Sequence, residues 1–178
     1  LSRHVGAELV LVDIGVAVDL PEVPGLLRRK VAYGTANMAR GPAMSREEAA
    51  RALEVGLEIG ADLAARGYNL IGTGEMGIGN TTPSAALVAC YTGLPVARVV
   101  GRGTGIDDRH LQGKVAAIEG ALAVNHPDRD DPLGVLAALG VLEIAGLAGV
   151  MLAGAAARVP VLVDGLISGA AALVAAHF

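Results

Sequence analysis

The segment "NLIGTGEMGIGNTTPSAAL", residues 69–87, contains the parts of one strand-turn-helix unit in a single run. An apolar strand is predicted over residues 68–72, and the turn after it has glycines at 72, 74, 77 and 79 and one carboxylate, Glu75. A helix is predicted after the turn, with Thr82 as its N-cap and Pro83 in its first position. Glycine costs roughly 0.5–1 kcal/mol of backbone freedom in regular structure. The cluster therefore indicates a sharp turn or a ligand that approaches the backbone closely.

The same alternation of short apolar strands and helices continues in both directions along the chain. Further strands are predicted over Ala7–Asp13, Val96–Val100 and Val159–Asp164. Helices are predicted near residues 45–66, 82–91, 109–124, 132–139, 142–158 and 166–177. This order is typical of an α/β fold with a parallel sheet and crossover helices. The length of 178 residues suits a single domain, which we expect to span residues 1–178.

Local signals give more detail at a few positions. Ser45 and Glu48 form an S-x-x-E capping box before a helix that Gly67 ends. The long segment from Gly15 to about Met44 is predicted to be irregular, as a loop of this length often is when it forms a functional or interaction surface. Ligands of parallel α/β sheets bind beyond the carboxyl ends of the strands. Asp13, the two glycine-rich loops and the Asp164–Gly165 pair are therefore candidates for one crevice.

Composition excludes several classes of function. The formal charge of −4 and the pI near 5.5 give no footprint for nucleic acid, so we expect a small-molecule partner. The longest uncharged apolar run, Ile144–Ala157, is too short for a membrane span and predicts a buried helix. A single cysteine, Cys90, suits a buried core thiol in a reducing, cytoplasmic setting. The four histidines lack metal-ligand spacing, and we expect neither a metal nor a cofactor.

Three phosphate-binding motifs can be compared with the glycine-rich loops. Residues 72–77 fit G-x-G-x-x-G, but no acid for a ribose follows about 20 residues later, so dinucleotide binding is disfavoured. Gly74 and Gly79 have P-loop spacing, but the P-loop lysine is missing. The sequence "IDDRHLQG" at 106–113 partly matches the acidic motif of diphosphate-using phosphoribosyltransferases and stays a minor alternative.

A simpler anion cradle remains. Loops of small residues at 72–82 and 101–108 can turn backbone N–H groups toward a phosphate, and each precedes a predicted helix N-terminus. Lys114, one of two lysines, lies one to two turns into the second helix and can add a charge. Glu75 has two interpretations: it contacts or deprotonates a substrate, or it accepts hydrogen bonds from local N–H groups.

The pieces "GTGEMGIGNTTPSAAL", "VGRGTGIDD", "GTANMARGPAMS" and "VDGLISGAAAL" together resemble the nicotinate-nucleotide:dimethylbenzimidazole phosphoribosyltransferase family. The resemblance runs in order from about Val12 to Leu173. It implies a Rossmann-like parallel sheet flanked by helices, usually in a homodimer. It also implies transfer of the ribose phosphate of nicotinate mononucleotide to 5,6-dimethylbenzimidazole, with release of nicotinate, during cobalamin assembly.

The resemblance also assigns roles to residues of this chain. Glu75 is implied to contact the substrates near the exchanging bases. The substrate pocket is implied to include Gly77, Gly79, Asn80, Thr81 and Thr82. The nucleotide phosphate is implied to bind Gly101, Arg102, Gly103, Thr104, Gly105 and Lys114. Asp164 and Gly165 are implied to lie beside the same crevice.

The family pattern is incomplete in this sequence. Family members are longer, and the glutamate regarded as their general base lies beyond the equivalent of Phe178. An N-terminal helical part that helps to cover the benzimidazole is absent before Leu1. We therefore expect the central core of such an enzyme, with a catalytically incomplete module that binds a nucleotide phosphate as the alternative.

Overall fold

Helices dominate residues 2–101 and 107–178, the part of the chain that the computed structural model describes. The elements are, in chain order, α1 (Ser2–Val5), β1 (Leu11–Asp13), β2 (Leu26–Arg28), α2 (Arg46–Ala65), β3 (Ile71–Gly72), α3 (Thr81–Thr92), α4 (Val96–Val99), α5 (Asp108–Asn125), α6 (Pro132–Leu139), α7 (Leu142–Ala157), β4 (Val161–Leu162) and α8 (Gly165–Ala175). Strands are short and lie between the helices, as the sequence predicts.

The four described strands form two parallel pairs. In one pair, β1 lies beside β2, with Leu11 opposite Leu26 and Asp13 opposite Arg28. In the other, β3 lies beside β4, with Ile71 opposite Val161. Parallel pairing, with helices between β3 and β4, confirms the predicted α/β class, whereas β1 and β2 are joined by residues 14–25 without a helix. The prediction that the whole segment is irregular is wrong, because it contains the three-residue strand β2. Pro24 and Gly25 come directly before this strand and are typical of loops, and Gly25 has a left-handed backbone conformation.

The strand predicted over Val96–Val100 is wrong, because these residues form the single helical turn α4. Pro95 precedes this turn and its carbonyl accepts a hydrogen bond from the Arg98 N–H at 2.8 Å. Val96 is buried and α4 packs against α3 and α5. Tertiary packing has therefore overridden the β-propensity of the valines, which reflects fit to a sheet surface more than backbone preference.

The predicted N-cap of α3 is also wrong, since the helix begins at Thr81 and Asn80 occupies the cap position. Pro83 is therefore in the third helical position rather than the first. Proline is tolerated there because the first-turn N–H groups lack an intrahelical acceptor. The earlier start puts Asn80 in the N-cap position, where its side chain bonds to the preceding turn instead of capping the helix.

The centre of the molecule is the crossing of α2 and α7. The capping box predicted at Ser45 and Glu48 is present and sets the start of α2. At the crossing, a Cβ on Gly56 would lie 1.8 Å from the Gly146 carbonyl oxygen, and one on Gly149 would lie 2.1 Å from the Leu53 carbonyl oxygen. The two backbones can approach this closely only because these positions lack side chains.

Helix α8 packs against α7, α6 packs against α2, and α3 packs against α8. The inner faces of α3, α6 and α8 are mainly alanine, leucine and valine. Cys90 is buried in this core, as predicted. The apolar run Ile144–Ala157 lies within α7 and is largely buried, also as predicted. In the described ranges, no helix combines the length and hydropathy that crossing a membrane requires.

Candidate functional site

The glycine-rich turn connects β3 to α3 and is attached to β4. Thr73 makes this attachment, since its backbone N–H and its hydroxyl both donate to the Leu162 carbonyl oxygen, at 3.1 and 2.9 Å. Gly77 and Gly79 have φ angles of +66° and +80°, a region that side chains disfavour. The backbone of the turn that follows β3 therefore depends on two glycines with positive φ angles.

Glu75 folds back over this turn. Its Oε2 atom accepts hydrogen bonds from the Gly77 backbone N–H and from the side-chain amide of Asn80, the latter at 2.8 Å. Of the two interpretations of Glu75, the structure bears out the hydrogen bonds to local donors. A contact with a substrate through the remaining carboxylate oxygen is compatible with this arrangement, because Glu75 is only partly buried.

Asn80 joins Glu75 to a residue that the sequence did not single out. Asn80 is 1% exposed, and its Nδ2 atom also donates to Oε1 of Glu143, at 3.1 Å. Glu143 lies in the first turn of α7, where an acidic residue is common because the helix dipole favours it. Because an acid is ordinary at this position, nothing in the sequence indicated that the Glu143 carboxylate contacts the glycine turn.

Lys114 lies in α5 and reaches the start of α3. Its Nζ donates to Oγ1 of Thr81 at 2.9 Å, so the cation sits at the N-terminus of that helix. Burial lowers the pKa of Lys114 because the charged form loses hydration. No side chain caps α3 in the described structure. The first N–H groups of α3 and the ammonium group of Lys114 therefore provide neighbouring donors suited to an anion.

Asp164 and Gly165 reach this region through the sheet. They follow β4, which pairs with β3, and Gly165 begins α8 with a φ of +73°. Asp164 is exposed and occupies the N-cap position without a side-chain capping bond. The pair thus lies beyond the carboxyl end of the strand next to the glycine turn, where ligands of parallel sheets bind.

Of the other predicted site residues, some lie on the turn or in α3 and others lie outside the described part of the chain. Gly79 and Thr82 lie on the turn and in the first turn of α3. Gly101 is exposed and ends the first described range. Arg102, Gly103, Thr104 and Gly105 lie outside the described residues.

Asp13, a fourth candidate at a strand end, belongs to the other strand pair. It is 3% exposed, and its carboxylate pairs with Lys30 at 2.9 Å and accepts the Val16 N–H at 3.0 Å. Burial opposes ionisation of Asp13, but these donors outweigh it and lower its pKa. All of these contacts are structural, and none of them reaches the glycine turn.

A cavity of about 650 Å³ lies elsewhere, between the loop at 34–44, the start of α2, and α6. Its two charged lining residues already have partners: Glu48 in the capping box with Ser45, and Arg46 in a salt bridge with Asp131. Within the described ranges, no group of three or more His, Cys, Asp or Glu side chains could hold a metal ion. The cluster of Glu75, Asn80, Thr81 and Lys114 is therefore the better candidate site.

Comparison with known proteins gives a consistent result. A model of a phosphoribosyltransferase family matches residues 1–178. The chain is 60% identical over 175 residues to nicotinate-nucleotide–dimethylbenzimidazole phosphoribosyltransferase of Geobacter sulfurreducens, covering 98% of this chain and 50% of the relative. It is 58% identical over 176 residues to the protein of the same name from Chloroflexus aggregans, covering 99% of this chain and 50% of the relative.

A solved structure shows the same likeness in three dimensions. The crystal structure of CobT from Thermus thermophilus matches with a TM-score of 0.93 and 45% identity, over 99% of this chain and 53% of that chain. The chain thus spans about half the length of the relatives that it matches. This agreement supports the α/β fold that the sequence resemblance implied.

Proposed function

We propose, on the premise that this chain belongs to the phosphoribosyltransferase family, that residues 1–178 form the nucleotide-binding core of an enzyme that transfers ribose phosphate from nicotinate mononucleotide to 5,6-dimethylbenzimidazole. A benzimidazole nitrogen forms the new bond to the sugar carbon while nicotinate leaves with the electron pair of the broken bond. The benzimidazole then loses its N–H proton, giving α-ribazole 5′-phosphate. The contact of Lys114 with Thr81 at the start of α3 carries this proposal.

The phosphate is the part of nicotinate mononucleotide that this arrangement suits best. The Lys114 ammonium group is held 2.9 Å from the Thr81 hydroxyl, and the uncapped first turn of α3 contributes N–H donors and a favourable dipole. A phosphate beside both would accept charge-assisted hydrogen bonds, which are stronger than neutral ones. The family resemblance assigns further phosphate contacts to residues 101–105.

Glu75 then serves as a substrate contact rather than as the main base. Hydrogen bonds from the Gly77 backbone N–H and the Asn80 side-chain amide hold one of its carboxylate oxygens in place. The other oxygen is left to accept a hydrogen bond from the ribose or an incoming base. Asp164 and Gly165, beyond β4, border the same crevice. Catalysis in this core would consist largely of positioning the two reactants.

Calorimetric titration with nicotinate mononucleotide tests this role of Lys114. Lys114→Ala is expected to weaken binding by about 1–3 kcal/mol, the scale of a lost charge-assisted hydrogen bond. Arg51→Ala is the matched control, because it removes an exposed cation from α2 and is expected to leave affinity unchanged. Equal affinities for wild type and Lys114→Ala would remove Lys114 from the site.

A module that binds a nucleotide phosphate without turnover is the second candidate, supported by the same anion donors, Lys114 and the first turn of α3. The family resemblance puts the general base after the equivalent of Phe178, and it supports a homodimer acting in the cytoplasm. Release of nicotinate, followed with and without dimethylbenzimidazole, separates the two candidates. Full turnover by the 178-residue chain would contradict the need for a base outside it.

A further inference from the structure

The side chain of Asn80 is held between two carboxylates. Its Nδ2 atom lies 2.8 Å from Oε2 of Glu75 and 3.1 Å from Oε1 of Glu143, so each of its two hydrogens has an acceptor. Both neighbours are acceptors, which fixes the orientation of the amide. Its Oδ1 atom is buried and has no partner among the described residues.

This arrangement is unusual for an asparagine at the start of a helix. Asparagine in the N-cap position usually accepts a hydrogen bond from the first turn, yet Asn80 makes no such bond to α3. An unpaired buried carbonyl also carries a desolvation cost. The Asn80 side chain therefore connects Glu75 with Glu143 instead of capping α3.

Glu143 is the anchored end of this connection. Its neighbours Leu142 and Ile144 are 1% and 0% exposed, and α7 packs closely against α2 through glycines on both helices. Glu75 belongs to the glycine turn, where a Cβ on Gly74 or Gly79 would meet nothing within 4 Å. A packed helix thus holds a loosely packed turn through a single amide.

We propose that Glu143 is a positioning residue that acts through Asn80 to hold the Glu75 carboxylate in its place in the substrate site, a role that rests on the function proposed above. Glu143 does not itself contact a substrate. A competing explanation is that Glu143 only stabilises the N-terminus of α7 through its charge. The two explanations differ in what they require: positioning needs an acceptor for the Asn80 amide, whereas the dipole needs a negative charge.

The pair of variants Glu143→Ala and Glu143→Gln separates these explanations. Alanine removes the acceptor and the charge, whereas glutamine keeps a side-chain oxygen that can accept the Asn80 N–H. With nicotinate mononucleotide as the probe in calorimetry, Glu143→Ala is expected to bind about 10-fold more weakly, the factor for one positioned hydrogen bond. Glu143→Gln is expected to restore most of the affinity. Glu47→Ala, which removes an acid from the first turn of α2, serves as the control and should bind normally.

NMR of the Asn80 side-chain amide gives a readout independent of binding. In the wild type its two hydrogens should be distinct and slow to exchange, and Glu143→Ala should abolish that protection while Glu143→Gln retains it. Weak binding by both Glu143 variants, or normal binding by Glu143→Ala, would overturn the positioning role alone. No binding of nicotinate mononucleotide by the wild type would overturn the proposed function and this role with it.

Discussion

Glycine serves opposite purposes in the two regions that define this molecule, the α2–α7 crossing and the β3–α3 turn. At the crossing, the glycines have ordinary helical backbones, but a Cβ on Gly56 or Gly149 would collide with the opposing backbone. At the turn, Gly77 and Gly79 have positive φ angles, but the space around the turn is largely open. The first region needs glycine for its size, and the second needs it for its conformation.

This difference separates scaffold from site. The crossing buries its glycines and presents Glu143 from a helix that cannot shift easily, because interiors are close-packed. The turn exposes Met76 and Ile78 and holds Glu75 through hydrogen bonds rather than through packing. Function is therefore expected on the part of the chain that packing constrains least, and stability on the part that it constrains most.

The largest expected effect is on the crossing. Gly56→Ala would place a methyl group 1.8 Å from the Gly146 carbonyl oxygen, and only separation of the two helices could relieve the overlap. We expect a loss of about 3 kcal/mol in the free energy of unfolding, at the upper end for overpacked cores. Chemical denaturation measures this loss.

Gly120→Ala is the matched control for this substitution. Gly120 lies inside α5 and is exposed, and a methyl group added there would meet nothing within 4 Å. The substitution is expected to stabilise the protein by about 0.5–1 kcal/mol through helix propensity. A similar loss in both variants would show that steric overlap at the crossing is not the cause.

A somewhat smaller effect is expected at the end of β1, where the next residue, Ile14, lies against Gly146 of α7. Asp13 is buried with Lys30, and its pKa is lowered because the pairing outweighs burial. A lowered pKa in the folded state adds stability above the unfolded value of about 3.9, and this is lost as the pH falls through the folded value. Asp13→Asn should cost about 2 kcal/mol at pH 7, because it leaves the partly exposed Lys30 without its charge partner.

Unfolding measured between pH 7 and pH 2 checks this prediction. The wild type should lose stability below about pH 4 more steeply than Asp13→Asn, which lacks the titrating group. If the two proteins lost stability in parallel over this range, Asp13 would not contribute to the acid sensitivity.

Local signals in the sequence predicted local structure well. The capping box at Ser45 and Glu48 and the bounds of α6, Pro132–Leu139, need only neighbouring residues, and the structure confirms both. The valines at 96–100 and the short β2 were misread because packing with distant elements decides them. Parallel pairing was predicted correctly from the order of elements, which is a property of the whole chain.

The candidate site was predictable only in part, for a related reason. Glu75, Asn80 and Thr81 lie in one glycine-rich motif, and an isolated lysine marked Lys114. The contact between Asn80 and Glu143 spans 63 residues, and no spacing rule connects an asparagine in a loop to an acid in a distant helix. The residues that form a site can thus be visible in sequence while those that hold it in place are not.

The smallest expected effects on stability are within the turn, where glycine can be required either by a positive φ angle or by close approach of a ligand. Gly77→Ala forces a side chain into a φ of +66° and should cost about 1 kcal/mol. Gly74 has no positive φ and open space around it, so Gly74→Ala should leave the denaturation midpoint nearly unchanged. If Gly74 is present so that a ligand can approach the backbone, its alanine variant should still bind nicotinate mononucleotide more weakly. Normal stability together with normal affinity would instead mean that glycine at this position serves neither the turn nor the ligand.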